Sequence, residues 1–182
     1  MTASRPAASL PHTGIATFCK APYVFDPAEI DADIAILGVP FDGMASMRPG
    51  CRQAPRALRD ASTRFGWLGE STGTKGFFDI EAGHTFLAGD RSVDAGDVDV
   101  SLDEGVTRAR ITQHASKIVE RGALLASIGG DHSVSFPLIA ALKGMRLSQS
   151  CCLTHTSTIA TGSWVWNIRT IVRSTGLASC LS

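Results

Sequence analysis

The residues from Ala123 to Gly144 specify a strand, a sharp turn and a helix in immediate succession. Ala123-Leu124-Leu125-Ala126-Ser127-Ile128 is an apolar run of strand length and predicts a buried strand over 123–128. Ser133 to Leu142 follows with helical spacing and Gly144 to stop it, which predicts a helix over 134–143. Between them lies Gly129-Gly130-Asp131-His132-Ser133. Such a turn sits at the carboxyl end of a strand, where open α/β sheets bind ligands. The two glycines are expected to let the backbone bend sharply. Three readings of the turn stand side by side. It is a helix-capping turn with a satisfied histidine, a phosphate cradle at a helix N-terminus, or a metal site using the His132 imidazole. The cradle is the weakest, because there is no third spaced glycine and no Lys-Ser/Thr pair, and Asp131 would repel a phosphate.

A second continuous apolar run, Ile34-Ala35-Ile36-Leu37-Gly38-Val39, predicts a strand over 33–39 buried on both faces, as in a parallel sheet. A Gly/Pro-rich loop over 41–50 leaves it, and a helix with proline in its first turn is expected over 54–64. The alternating Val93 to Val100 stretch predicts a strand near 93–98. The helix over 102–121 is the clearest, with Ser101 as its cap and Ile111, Ala115, Ile118, Val119 and Gly122 on one face. His114 beside that face reads as a packing histidine. Asp26 is a plausible cap for a short turn at Pro27. Residues 66–91 read as irregular, anchored by Trp67, Phe77, Phe78 and Phe86, with His84 on the surface. Strand, helix, strand, helix in this order argues a right-handed parallel α/β layer.

Seventeen basic and seventeen acidic residues cancel, so neither a nucleic-acid groove nor an anionic membrane surface is an expected partner. No apolar run approaches the ~20 residues of a membrane span. Five cysteines, an odd number with no C-x-x-C pair, point to reduced thiols and a cytoplasmic protein.

Two segments carry a family resemblance. Gly129-Gly130-Asp131-His132-Ser133 resembles the first signature of the ureohydrolases, the arginase and agmatinase family. Gly38-Val39-Pro40-Phe41-Asp42-Gly43, Arg48-Pro49-Gly50 and Gln53-Ala54-Pro55-Arg56-Ala57-Leu58-Arg59 are similar to the opening of agmatinase-type members, with Ala54 at a usual glycine. The resemblance covers about residues 30–145. It implies a three-layer α/β/α fold with a parallel sheet, incomplete at the C-terminus here. It also implies manganese-dependent hydrolysis of a guanidino compound to urea and an amine, as in polyamine metabolism, by a homo-oligomer. Two Mn²⁺ ions would share a bridging water as nucleophile. His132 would be a metal ligand, Asp131 a turn or supporting residue, and Ser46, Arg48 and Gly50 part of the substrate rim.

Beyond Gly144 the resemblance stops. The family should supply Asp-Ala-His-x-Asp and then Asp-x-Asp, which carry the other metal ligands. Residues 145–182 contain no aspartate or glutamate, and their single histidine is His155. The chain is therefore divided into an N-terminal extension (1–29), a partial ureohydrolase domain (30–145) and an unmatched, poorly ordered tail (146–182). The codons allowed from Cys151 to Thr158, read from each third base, permit Leu-x-Asp-Ala-His-x-Asp. A ureohydrolase reading frame shifted between about Gly144 and Ser150 is one account of the tail. On that account this chain is a non-catalytic remnant.

Overall fold

The computed structural model describes residues 10–68, 76–142, 152–154 and 167–169. Its elements run β1 (Ile34–Val39), α1 (Ala54–Ser62), β2 (Phe77–Asp79), β3 (His84–Phe86), β4 (Ser92–Asp97), α2 (Glu104–Glu120), β5 (Leu124–Gly129), α3 (Ser135–Ala140), β6 (Cys152–Thr154) and β7 (Asn167–Arg169). The chain falls into two units, divided between Ala141 and Leu142. In the first, β1 is the centre of a parallel sheet of order β4-β1-β5. Ile34 lies opposite both Ser92 and Leu124, and Val39 opposite Gly129. The path steps from β1 to β4 by way of α1 and returns across β1 to β5 by way of α2. Right-handed crossovers in opposite directions place α1 and α2 on opposite faces, giving three layers. Short α3 packs beside α2, where Thr112 Oγ1 donates to the Pro137 carbonyl at 3.1 Å. In the second unit β6 and β7 form an antiparallel pair.

The core follows from the two apolar runs and the α2 stripe. Ala35, Leu37 and Val39 of β1 are wholly buried, with Ile111 and Ile118 of α2 against them. At about 25 cal/mol per Å² of apolar surface removed from water, this cluster is the main stabilising element. β1 is buried along nearly its whole length. β5 departs from its expected burial. Its residues are half-buried or exposed, with Leu124 46% accessible. The physical reason is position, because among the described residues β5 pairs only with β1 and so forms an edge.

Local signals decide the helix ends. α2 is capped by Asp103, whose carboxylate accepts from Val106 N at 3.1 Å; Ser101, the expected cap, instead accepts from Asp103 N. Asp26 caps its 3₁₀ turn as expected, accepting from Ala28 N. α1 ends at Ser62 and tightens into a 3₁₀ turn over Thr63–Leu68. Residues 77–86 are more regular than expected, forming an antiparallel hairpin in which Asp79 pairs with His84. Phe78 (58% accessible) and Phe86 are exposed and do not anchor it; His84, on the surface, packs its ring on Phe86. The remainder of the tail, 143–151, 155–166 and 170–182, lies outside the described residues, so its expected disorder does too.

Candidate functional site

The turn after β5 and the loop after β1 meet at the carboxyl edge of the sheet. Asp131 N donates to the Phe41 carbonyl at 2.9 Å. The Asp131 carboxylate reaches back, with Oδ2 accepting from Met44 N at 2.8 Å. Its Oδ1 accepts from Ser133 N at 2.9 Å and from Ser133 Oγ, capping the 3₁₀ turn His132–Val134. Gly130 is needed for a different reason from the one the glycine pair suggested. Neither Gly129 nor Gly130 has a positive φ. A Cβ on Gly130 would instead lie 1.7 Å from the Phe41 carbonyl oxygen, so glycine is required for close approach of two backbones.

A second carboxylate closes the other end of the loop. Asp42 is buried (6% accessible), and its Oδ2 accepts from Gly50 N at 2.6 Å and Arg52 N at 3.3 Å. The exposed Arg52 guanidinium lies 3.5 Å from its other oxygen. Gly50 adopts φ +147°, a region closed to most side chains. Ser46, Arg48 and Gly50, the expected rim residues, are all exposed on this loop. Cys51 follows it. Burial raises its thiol pKa above the ordinary value, and the nearby Asp42 and Asp131 carboxylates raise it further.

His132 is exposed at the head of the turn, with Nδ1 3.2 Å from Ser135 Oγ. The Asp131 and Asp42 carboxylates of this junction both accept from backbone N–H groups. Among the described residues no group of three His, Cys, Asp or Glu side chains is arranged to hold a metal ion. A two-metal centre needs several imidazole and carboxylate ligands, and the described residues do not fit one. His114 and His84 supply none: His114 Nδ1 bonds the Arg110 carbonyl at 3.0 Å within its own helix, and His84 lies on the separate hairpin.

One constellation was missed in the sequence. Arg59 of α1 forks onto Asp94 of β4, Nε to Oδ2 at 2.8 Å and Nη2 to Oδ1 at 3.0 Å, and its Nη1 donates to Asp97 at 2.6 Å. Asp94 is fully buried and also accepts from Phe18 N and Gly96 N. Burial pulls the Arg59 pKa down, but the hydrogen bonds and charges of Asp94 and Asp97 outweigh it and hold it above its ordinary value. This pair ties α1, which begins just after the rim loop, to the sheet.

A family model described as "Arginase family" matches residues 32–155. The chain belongs to the arginase family. The agmatinase of Sodalis glossinidius is 33% identical over 150 residues, covering 80% of this chain and 46% of its own length. Among solved structures, the arginase-family fold aligns with proclavaminate amidino hydrolase from Streptomyces clavuligerus at a TM-score of 0.58 and 29% identity, covering 74% of this chain and 41% of that one. Trypanosoma cruzi formiminoglutamase with Mn²⁺ aligns at 0.50 and 26%, covering 62% and 35%. The chain thus spans less than half the length of these relatives. Its parallel α/β/α layers are the N-terminal part of the arginase fold.

Proposed function

We propose that this sequence encodes an agmatinase-type ureohydrolase, which hydrolyses a guanidino compound to urea and an amine with manganese as cofactor, in the cytoplasm. The observation that carries the reading is the junction of the Gly129–Ser133 turn with the Phe41–Gly50 loop in a chain of this family. It sets the His132 turn beside the expected substrate rim at a strand-end position where α/β sheets bind ligands. The odd cysteine count without a C-x-x-C pair supports the compartment. Among the described residues no helix is long and apolar enough to cross a membrane. The family carries the activity; a 182-residue chain with this tail is expected to be inactive, since His132 alone does not make a binuclear site. The test is metal content. Purified chain equilibrated with Mn²⁺ and desalted should retain far less than one ion per molecule and release no urea from agmatine or 4-guanidinobutyrate. Stoichiometric, chelator-sensitive manganese together with urea release would show that the tail completes the site.

A second reading, a frame-shifted remnant without catalysis, is favoured by one specific observation. Residues 145–182 lack any carboxylate side chain, yet the codons allowed across Cys151–Thr158 permit Asp-Ala-His-x-Asp in another frame. Sequencing the gene decides it. The reading predicts that motif and a long open frame downstream. A gene whose alternate frame lacks either would remove it.

A further inference from the structure

The segment ahead of the sheet, residues 13–24, is fastened to the domain largely through one residue of α1. Two consecutive backbone amides make the grip. Phe18 N donates to Asp94 Oδ2 at 2.8 Å, the same oxygen that accepts from Arg59 Nε, and Cys19 N donates to Ser62 Oγ at 2.8 Å. Ser62 Oγ in turn donates to the Arg59 carbonyl at 2.8 Å. The segment therefore reaches Arg59 twice, once through the carboxylate that its guanidinium binds and once through its own carbonyl. Further along, Tyr23 bridges Asp94 in parallel, with Val24 N donating to the Asp94 carbonyl and Asp94 N to the Pro22 carbonyl, both at 2.9 Å.

The segment bends sharply to make these contacts. Cys19 and Lys20 both adopt left-handed backbone, with φ +49° and +59°, which residues other than glycine enter at a cost. Lys20 is 4% accessible, and its ammonium donates to the Thr13 and Ile15 carbonyls, folding the segment back on itself. Its stem lies against Gly66 in the 3₁₀ turn that continues α1, where a Cβ would stand 2.7 Å from Lys20 Cγ. Strained backbone of this kind persists only where surrounding contacts over-determine it. Here those contacts fall on Asp94, on the C-terminal end of α1 and on the turn after it. The other end of α1 runs back through the Cys51–Gln53 turn to Gly50, which Asp42 holds. α1 has nine residues, so its two ends lie about 13 Å apart on one rigid element.

We propose that residues 13–24 form a strap that sets the mobility of the 41–50 loop through α1. With the strap seated, Asp94 and Ser62 hold Arg59 and keep α1 still, and the Gly50 and Arg52 N–H groups stay on Asp42. With the strap released, α1 loosens against the sheet and the loop opens at its Gly50 end. The coupling does not depend on catalysis by this chain. Native-state hydrogen exchange on the full chain tests it. Phe18→Pro deletes the N–H that reaches Asp94, and the extended Thr17 before it suits a proline. Phe18→Ala, which keeps that N–H, is its reference. Ser62→Ala removes the second grip. Phe18→Pro should speed exchange at the Gly50 and Arg52 amides by about two- to tenfold over Phe18→Ala, the range for one hydrogen bond. Ser62→Ala should do the same relative to wild type, and it alone decides if Phe18→Pro does not fold. The Leu124 amide, bonded to the Asp33 carbonyl at the other side of the sheet, should keep its rate. Unchanged rates at Gly50 and Arg52 in either folded variant, with the Val24 amide accelerated or not, would overturn the coupling. Equal acceleration at Leu124 would overturn it too, since it marks a general loss of stability.

Discussion

Replacing Gly130 by alanine isolates the one steric requirement on which the site geometry rests. The backbone at Gly130 has no positive φ, so alanine meets no conformational objection there. Its methyl group, however, would lie 1.7 Å from the Phe41 oxygen and 2.6 Å from the Phe41 carbonyl carbon. Neither is a side-chain atom that can rotate away, so the turn and the loop must part. Overpacking of this kind costs about 1–3 kcal/mol. Parting also strains the Asp131 N to Phe41 O and Met44 N to Asp131 hydrogen bonds, each contributing about 0.5–1.5 kcal/mol. Alanine regains roughly 0.4–1 kcal/mol through the unfolded chain, which leaves a net loss of about 1–5.6 kcal/mol. Gly129→Ala is the control. There the added methyl would meet only the Val134 Cγ2 methyl, at 2.9 Å, and a small shift of Val134 relieves it. The assay is urea denaturation of both variants, followed by native-state hydrogen exchange at the Met44 and Asp131 amides. Gly130→Ala should lower the midpoint more and accelerate both amides. If Gly129→Ala costs as much, or if the two amides keep their protection in Gly130→Ala, the close-approach argument is wrong.

Arg59→Met should destabilise the chain by about 3–5 kcal/mol, because it leaves the buried Asp94 carboxylate without its cation; adding Asp94→Asn should return part of that loss, and a denaturation midpoint equal to wild type would refute the account. Cys51 should react with iodoacetamide at pH 8 more slowly than free cysteine, since its raised pKa leaves less thiolate; an equal or faster rate measured by mass spectrometry would contradict it. Asp31, hydrogen-bonded to and charge-paired with Arg91, has its pKa held below the usual carboxylate range. A depressed carboxyl stabilises the fold above its unfolded pKa and loses that effect as pH falls through the folded value. The Asp31 carboxyl NMR midpoint should therefore rise in Arg91→Gln and in high salt, and an unmoved midpoint would exclude the pairing in solution.

The sheet was legible because β1 and β5 are continuous apolar runs and β4 alternates apolar with acidic residues. Ile34–Val39, Ser92–Asp97 and Leu124–Gly129 fall within one residue of the expected spans. The buried α2 face was legible from Ile111, Ala115, Ile118 and Val119. The Phe77–Phe86 hairpin was not, because two strands of three residues each carry too short an alternation to register. Asp103 displaced Ser101 as the α2 cap because both are good acceptors two residues apart, and only the path of the chain chooses between them. The exposure of β5 depends on which neighbours a strand finds, which its own residues do not record. Arg59, Asp94 and Asp97 lie 35 and 38 positions apart; such a non-local pairing leaves no periodic trace. At the site, the Gly-Gly-Asp-His-Ser turn was visible as a motif. What remained hidden was its dependence on the Phe41–Met44 stretch, whose Met44 N donates to Asp131 from 87 positions away.

The two carboxylates that fasten the rim loop divide it into parts with different freedom to change. Asp131 holds Met44, and Asp42 holds Gly50 and Arg52. Between these anchors, Ser46, Met47, Arg48 and Pro49 are exposed, and Ala45 N donates back to the Asp42 carbonyl. Substitutions in that short interval change the exposed face of the loop and leave both carboxylate anchors in place. Substitutions at either anchor release the whole segment. The loop is thus freest to vary at five positions, 45–49, while Asp42, Gly50 and Asp131 are constrained by the backbone hydrogen bonds they make.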